Sequence, residues 1–133
     1  MQEALAEAQK AALLGEVPIG AVVVRGDQIV GRGHNLRETQ KDPTAHAEIL
    51  AIQAASRNLG GWRLLGTTLY VTVEPCFMCA GALVLARVER LVYGVKDRKM
   101  GAVDSLVNLL QFPGINHQVA VTQGVCEAEC REI

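Results

Sequence analysis

The apolar positions change period along the chain, and the changes mark its elements. Leu5, Ala8 and Ala12 recur at helical spacing between residues 2 and about 14, and Gly15 stops the pattern. A near-continuous Val-rich run from Ile19 to Arg25 follows, as in a strand buried on both faces. Gly26-Asp27 is a turn signal and Gln28 to Gly33 returns as a second strand, so the pair reads as a hairpin. Asn35 to Lys41 is polar and reads as a loop. Helical spacing resumes from about Ala45 to Asn58, with Ile49, Ile52, Ala55 and Leu59 facing inward, and Gly60-Gly61 ends it. Trp62, just beyond, reads as a packing anchor.

The β-branched run Thr67 to Val73 predicts a third strand, closed by Glu74-Pro75. A helix from Cys76 to about Ala86 places Cys79, Leu83 and Ala86 on one face, and Arg90 to Val95 is a fourth strand. A helix between two buried strands is a crossover that makes them parallel. Lys96 to Val103 is a polar loop, Asp104 to Leu110 a short helical turn capped by Asp104, and Phe112-Pro113-Gly114 a turn. Gln118 to Gln123 is a last strand, and Val125 to Ile133 starts a helix. No repeat or linker interrupts this order. It predicts a single α/β domain over residues 1–133, a three-layer α/β/α arrangement around a five-stranded mixed sheet.

Composition narrows the picture. Half of the residues are hydrophobic but only 4% are aromatic, so one substantial core must be built from Val, Leu, Ile and Ala. The net charge of −1 excludes a general polyanion binder; any RNA contact must be local and shaped. No apolar run approaches the ~20 residues of a membrane span. The polar start Met1-Gln2-Glu3 has no signal-peptide character, and four Cys without a secretory signal point to reduced thiols and a cytoplasmic address.

The chemistry concentrates in two short stretches. Thr44-Ala45-His46-Ala47-Glu48 offers an imidazole and a carboxylate two residues apart. Glu74-Pro75-Cys76-Phe77-Met78-Cys79 offers two thiols at i, i+3. One His and two Cys make three protein ligands for Zn²⁺ and leave the fourth tetrahedral position open, the form of a catalytic site. Positions i and i+2 share no face in mid-helix, so His46 and Glu48 can serve one site only at a helix start. Asp42-Pro43-Thr44 suits such a start, with Thr44 or Asp42 as cap. Cys76 and Cys79 fit the first turn of their own helix, whose N-terminus favours the thiolate that zinc requires. Glu48 is then the natural proton carrier. Cys-x-x-Cys alone also fits a redox pair or half of a structural zinc site; His-x-Glu combined with Pro-Cys-x-x-Cys is far more specific.

These motifs resemble those of the zinc-dependent nucleobase deaminases and, more narrowly, of the bacterial tRNA-specific adenosine deaminases. Glu16-Val17-Pro18-Ile19-Gly20, Tyr70 to Ala82 and Tyr93-Gly94-Val95-Lys96-Asp97 extend the resemblance over nearly the whole chain. It implies the cytidine-deaminase-like fold, one Zn²⁺ held by His46, Cys76 and Cys79, and hydrolytic conversion of the wobble adenosine of a tRNA anticodon to inosine. Zinc-bound hydroxide would attack C6 while Glu48 moves the proton. It further implies substrate contacts from Asn35, Ala47, Asp97 and Lys99, a tRNA anticodon stem-loop as partner, and a homodimer. Read as residues alone, Asn35 is equally a turn-forming Asn, and Lys96 to Lys99 a solvated loop. Family members continue beyond the position of Ile133 with a basic helical segment, so the affinity of this stretch for RNA is expected to be reduced. His34 and His117 lack metal spacing and read as solvated or hydrogen-bonded. Cys126 and Cys130 read as free thiols. A free-base deaminase acting on guanine or cytosine shares the chemistry and is the main alternative. A non-catalytic zinc-containing RNA-binding subunit would have no use for Glu48.

Overall fold

The structure is a computed structural model describing residues 1–133. Helix α1 (Gln2–Leu13) leads into strand β1 (Gly20–Arg25) and its hairpin partner β2 (Gln28–His34). A short helix α2 (Arg37–Gln40) precedes α3 (Ala47–Leu59). Strand β3 (Thr67–Val73), helix α4 (Phe77–Leu85) and strand β4 (Arg90–Val95) follow, then a 3₁₀ turn (Leu109–Gln111), β5 (Ala120–Thr122) and α5 (Glu127–Glu132). The sheet order is β2-β1-β3-β4-β5. β1 runs antiparallel to both of its neighbours, whereas β3, β4 and β5 are mutually parallel. The mixed five-stranded sheet and the parallel crossover through α4 agree with the expectation from sequence.

Strand alternation sorts the two faces. Ala21 and Val23 of β1 pair with Val71 and Leu69 of β3, which pair in turn with Tyr93 and Leu91 of β4. All six belong to the main core, together with Ala47, Ala51 and Ala55 of α3 and Ala80, Leu83 and Val84 of α4. On the opposite face, α1 packs through Ala4, Ala8 and Ala11, all fully buried. β1 is therefore covered on both sides, which explains its uninterrupted apolar run.

Helix α3 lies unusually close to β2. A methyl group on Gly31 would stand 2.3 Å from the carbonyl oxygen of Ala51. Only backbone without a side chain fits there, and the helix answers with alanines. Ala55 is fully buried as expected, and Ile52 and Leu59 pack half-buried against the core, but the fully buried face is Ala47, Ala51 and Ala55, with Ile49 only half-buried. Close approach selects small residues for that face. Gly60, at φ 76°, ends α3 as expected.

Other expectations shift. The loop from Asn35 to Lys41 contains α2, whose first amide is met by the Asn35 side chain and whose next two are met by a distant carboxylate. α3 begins at Ala47, not Ala45, with His46 in the capping position and extended. Asp42 Oδ1 instead accepts from the backbone and hydroxyl of Thr44, at 2.8 and 2.7 Å, in a local turn before the helix. The helical turn expected from Asp104 is a 3₁₀ turn at Leu109–Gln111, capped by Asn108. Asp104 lies well before its start, and its Oδ2 accepts from the buried Tyr93 hydroxyl. The last strand is shorter, Ala120–Thr122. Trp62 is no packing anchor: it is half-exposed, with the Arg63 guanidinium 4.2 Å from its ring centroid. His34 and His117 are hydrogen-bonded, to Glu7 Oε1 and to the Val88 carbonyl, at 2.9 and 2.8 Å. All four Cys are free thiols. No helix is long and apolar enough to cross a membrane.

Candidate metal centre and active cleft

The N-termini of α3 and α4 meet beside the C-terminal end of β3. His46 caps α3 and Cys76 caps α4, both in extended conformation, so each side chain swings back across its own helix start. Cys79 enters from the first turn of α4. His46 Nδ1 stands 3.6 Å from the Sγ of Cys76 and 3.6 Å from that of Cys79, and all three ligand atoms lie within 4.8 Å of one another. Zinc bonds of about 2.0–2.1 Å to nitrogen and 2.3 Å to sulfur, set at the tetrahedral angle, separate N from S by about 3.5–3.6 Å. The residues present fit a zinc ion, and with three ligands they leave one position for a small molecule.

Electrostatics prepare the ligands. The Cys79 thiol, the amides of Cys79 and Met78, and His46 favour the Cys76 thiolate over the burial that opposes it, and bring its pKa down to about 5. Cys79 is pushed up, because it shares a proton with Cys76 and is buried beside Glu48. Glu48, in the first turn of α3, is 4% exposed. Burial raises its carboxyl to about 7.

A cleft of ≈ 320 Å³ opens above these groups, of the size that holds small molecules. His46, Ala47, Glu48 and Cys76 line it, with apolar walls from Val17, Ile19 and Val73. Asn35 and Asp97 border it, so five of the proposed site residues outside the Cys pair's buried member share one cavity with Cys76. Asn35 is 6% exposed; its Nδ2 donates to the Val17 carbonyl at 3.2 Å and its Oδ1 accepts from the Arg37 amide at 3.0 Å. It thus forms the turn and faces the cleft at once. Asp97 Oδ1 accepts from the amides of Lys99 and Met100, at 3.0 and 3.2 Å. Lys99 lies outside the cleft, on an adjoining groove of ≈ 600 Å³ with Lys96, Arg98 and Arg131. Asp97, Val17, Ile19 and Val73 border both hollows, so the groove runs on from the cleft.

Sequence reasoning missed four residues here. Arg37 and Met100 border the cleft. Glu16, 5% exposed, accepts from the amides of Glu38 and Thr39 at 3.1 and 2.6 Å and so satisfies the start of α2 from a distance. The Thr39 contacts lead in holding its carboxyl below the usual range. Glu74, 2% exposed, was read only as the end of a strand. Burial opposes its charge, but Ser105 and the amides of Asp104, Ser105 and Asp97 outweigh that and keep it below the ordinary value. An acidic residue flanked by a buried strand and Pro-Cys was the available signal for Glu74.

Fold and site together define a deaminase of the cytidine-deaminase-like class with a His-Cys-Cys group that fits a metal. The profile of the MafB19-like deaminases matches residues 1–129. The tRNA-specific adenosine deaminase of Bacillus subtilis (strain 168) is 57% identical over 130 residues, 98% of this chain and 81% of that protein. The tRNA-specific adenosine deaminase of Streptococcus pyogenes serotype M1 is 49% identical over 133 residues, 100% of this chain and 78% of that protein. A structure solved in studies of A-to-I editing by tRNA:A34 deaminases at the wobble position of transfer RNA superposes with a TM-score of 0.95 at 46% identity, covering 99% of this chain and 96% of that one. A guanine deaminase from Bacillus subtilis superposes with a TM-score of 0.69 at 38% identity, covering 71% of this chain and 61% of that one. The chain belongs to the MafB19-like deaminase family, among the tRNA-specific adenosine deaminases.

Proposed function

We propose that this chain converts the wobble adenosine of a tRNA anticodon to inosine by hydrolytic deamination, in the cytoplasm where tRNA is found. The observation that carries this reading is the convergence of His46, Cys76 and Cys79 beside the buried carboxylate of Glu48, on the floor of a cleft. Zn²⁺ held by these three side chains supplies an acidified water and stabilises negative charge developing on oxygen. Glu48 would carry one proton of the attacking water to the ring nitrogen and then the second, from the oxygen now on C6, to the amino group, which leaves as ammonia. Its burial keeps bulk water from exchanging that proton. Asn35 holds the nucleoside through the amide hydrogen and the oxygen lone pair that its two protein contacts leave over. Ala47, fully buried, gives the base a small flat floor. Asp97 contacts the ribose side through Oδ2, and Lys99 a flanking phosphate in the groove.

A second reading, deamination of free guanine, draws on the likeness to the guanine deaminase. The groove favours RNA. It continues from the cleft and carries Lys96, Arg98, Lys99 and Arg131 on a chain whose net charge is −1. A free base needs no such extension; a strand with phosphates on either side of the target does. The outward face of α4 supports a homodimer: Phe77 and Leu85 are exposed, and Met78, Gly81 and Ala82 between them are half-buried.

The test is inosine formation on an anticodon stem-loop RNA with adenosine at the wobble position, with free guanine and cytosine run alongside. Inosine at that one position, abolished in Glu48→Ala with zinc retained, is the expected result. Ammonia from a free base with the RNA untouched would overturn the tRNA reading.

A further inference from the structure

The cleft has two walls of different construction. Helix starts build one. The other, residues 97–105, has no regular secondary structure at all. Its backbone amides must be satisfied by something, and a single side chain takes four of them. Glu74 Oε1 accepts from the Asp97 amide at 3.1 Å and from the Ser105 hydroxyl at 2.5 Å. Its Oε2 accepts from the amides of Val103, Asp104 and Ser105 at 3.1, 2.8 and 2.9 Å. No Lys or Arg takes part. A buried carboxylate without a cation survives only where several hydrogen bonds replace its hydration, and these five are drawn from both ends of the segment.

Two further observations agree. A methyl group on Gly101 would stand 2.4 Å from the Glu74 carboxyl carbon and 2.4 Å from the Asp97 carbonyl oxygen, so the segment is wrapped on the carboxylate with no space left over. The Glu74 amide donates to the Val95 carbonyl at 2.8 Å, and the Ala102 amide to the Pro75 carbonyl at 2.9 Å. Residue 74 is thus fixed at the join of β3 and β4, one peptide away from Pro75 and two from Cys76.

We propose that Glu74 is a positioning residue for the substrate: its carboxylate folds residues 97–105 into the cleft wall that carries Asp97 and Met100, and ties that wall to the stretch bearing Cys76. This rests on the tRNA reading for the choice of substrate but not for the structural coupling. Glu74 does not touch the reacting atoms. It acts through Asp97, whose amide it holds and whose Oδ1 is already occupied by Lys99 and Met100, leaving Oδ2 aimed by the fold of the loop.

The variants are Glu74→Gln, Glu74→Asp and Gly101→Ala. Each is assayed on whichever substrate the wild type turns over, stem-loop RNA or free guanine, with hydrogen exchange and zinc content measured in parallel. Failure of the wild type on RNA thereby tests the tRNA reading and leaves this one to be judged separately. Glu74→Gln turns one acceptor oxygen into a donor facing N–H groups. KM is expected to rise about 10-fold or more while kcat per zinc-loaded molecule stays within about 3-fold, the signature of lost binding geometry. Exchange should quicken across residues 97–105 and not in α3 or α4. Glu74→Asp, which keeps the charge, should recover part of the KM. If Glu74→Gln does not fold, Gly101→Ala carries the test: it crowds the same carboxylate without altering its charge and should raise KM in the same sense. Unchanged KM and unchanged exchange in a folded variant would overturn the proposal, as would a loss confined to the yield of folded protein.

Discussion

A methyl group on Gly33 would stand 2.5 Å from the carbonyl oxygen of Ala47. That contact joins the end of β2 to the first residue of α3, one position from His46 and one from Glu48. The proposed metal ligand His46 and the proposed proton carrier Glu48 are therefore placed by how closely a helix start can approach a strand. Gly33→Ala is expected to push the start of α3 off the sheet, destabilising the domain by about 1–3 kcal/mol and lowering zinc affinity. Urea unfolding and zinc titration would check it; full stability with full zinc affinity would contradict the packing described.

Glu48→Gln preserves volume and removes the carboxylate. It should leave zinc content at one ion per chain and reduce kcat by about 10²–10⁴-fold, the usual worth of a positioned acid–base group. Single-turnover kinetics on zinc-loaded protein measure this. A loss seen only in KM would mean that Glu48 binds substrate and does not move protons.

Chelation should unfold the chain more easily. A ligand bound only by the folded state stabilises it by about 2.7 kcal/mol at 100 times its Kd. For a domain of this size, that corresponds to a fall in Tm on the order of 10 °C on zinc removal. Cys76→Ser and His46→Ala should show the lower Tm from the outset and respond little to chelator. Equal chelator responses in wild type and variants would place the stabilising metal elsewhere.

Glu7, on the α1 side of the sheet, predicts an acid-sensitive stability. Burial alone would raise its pKa, but hydrogen bonds from Lys10, His34 and Arg32 overcome this and hold it at about 2 against an ordinary 4.5. The folded value lies below the unfolded one, so the contribution is full above about pH 4.5 and is lost as pH falls toward 2. Glu7→Gln should be less stable than wild type at pH 7, and the gap should close as the pH is lowered through that window. A gap constant with pH would show that the ion pairs of Glu7 contribute nothing through its charge.

The local signals reached far into the site. His46 and Glu48 two residues apart demanded a helix start, and both sit at one. Cys76 and Cys79 demanded a first turn, and α4 supplies it one residue later than expected. The errors have a common cause. Ile52, Ala55 and Leu59 do reach the core, but Gly31 and Gly33 bring β2 so near that the fully buried face falls to Ala47, Ala51 and Ala55 and leaves Ile49 half-buried. Asp104 has the chemistry of a helix cap, but the turn starts only at Leu109, where Asn108 caps it, and Asp104 Oδ2 accepts from Tyr93 instead. Trp62 has the size of a core residue and lies half in solvent beneath an arginine.

The His-Cys-Cys group, the strands and the parallel crossover follow from residue type and spacing, because each is a short-range property of the backbone or of the side chains that suit a metal. The roles of Glu16 and Glu74 do not. A carboxylate in the sequence records its charge but not the amides that will surround it. Thr39 and Glu38 reach Glu16, and Asp97, Val103, Asp104 and Ser105 reach Glu74, only when the sheet and its covering helices bring separate segments together. The convergence of His46, Cys76 and Cys79 could be read from the chain because coordination chemistry restricts which side chains suit a metal. The cleft around them could be read only from the fold, because any backbone amide can donate a hydrogen bond and only packing decides which ones do.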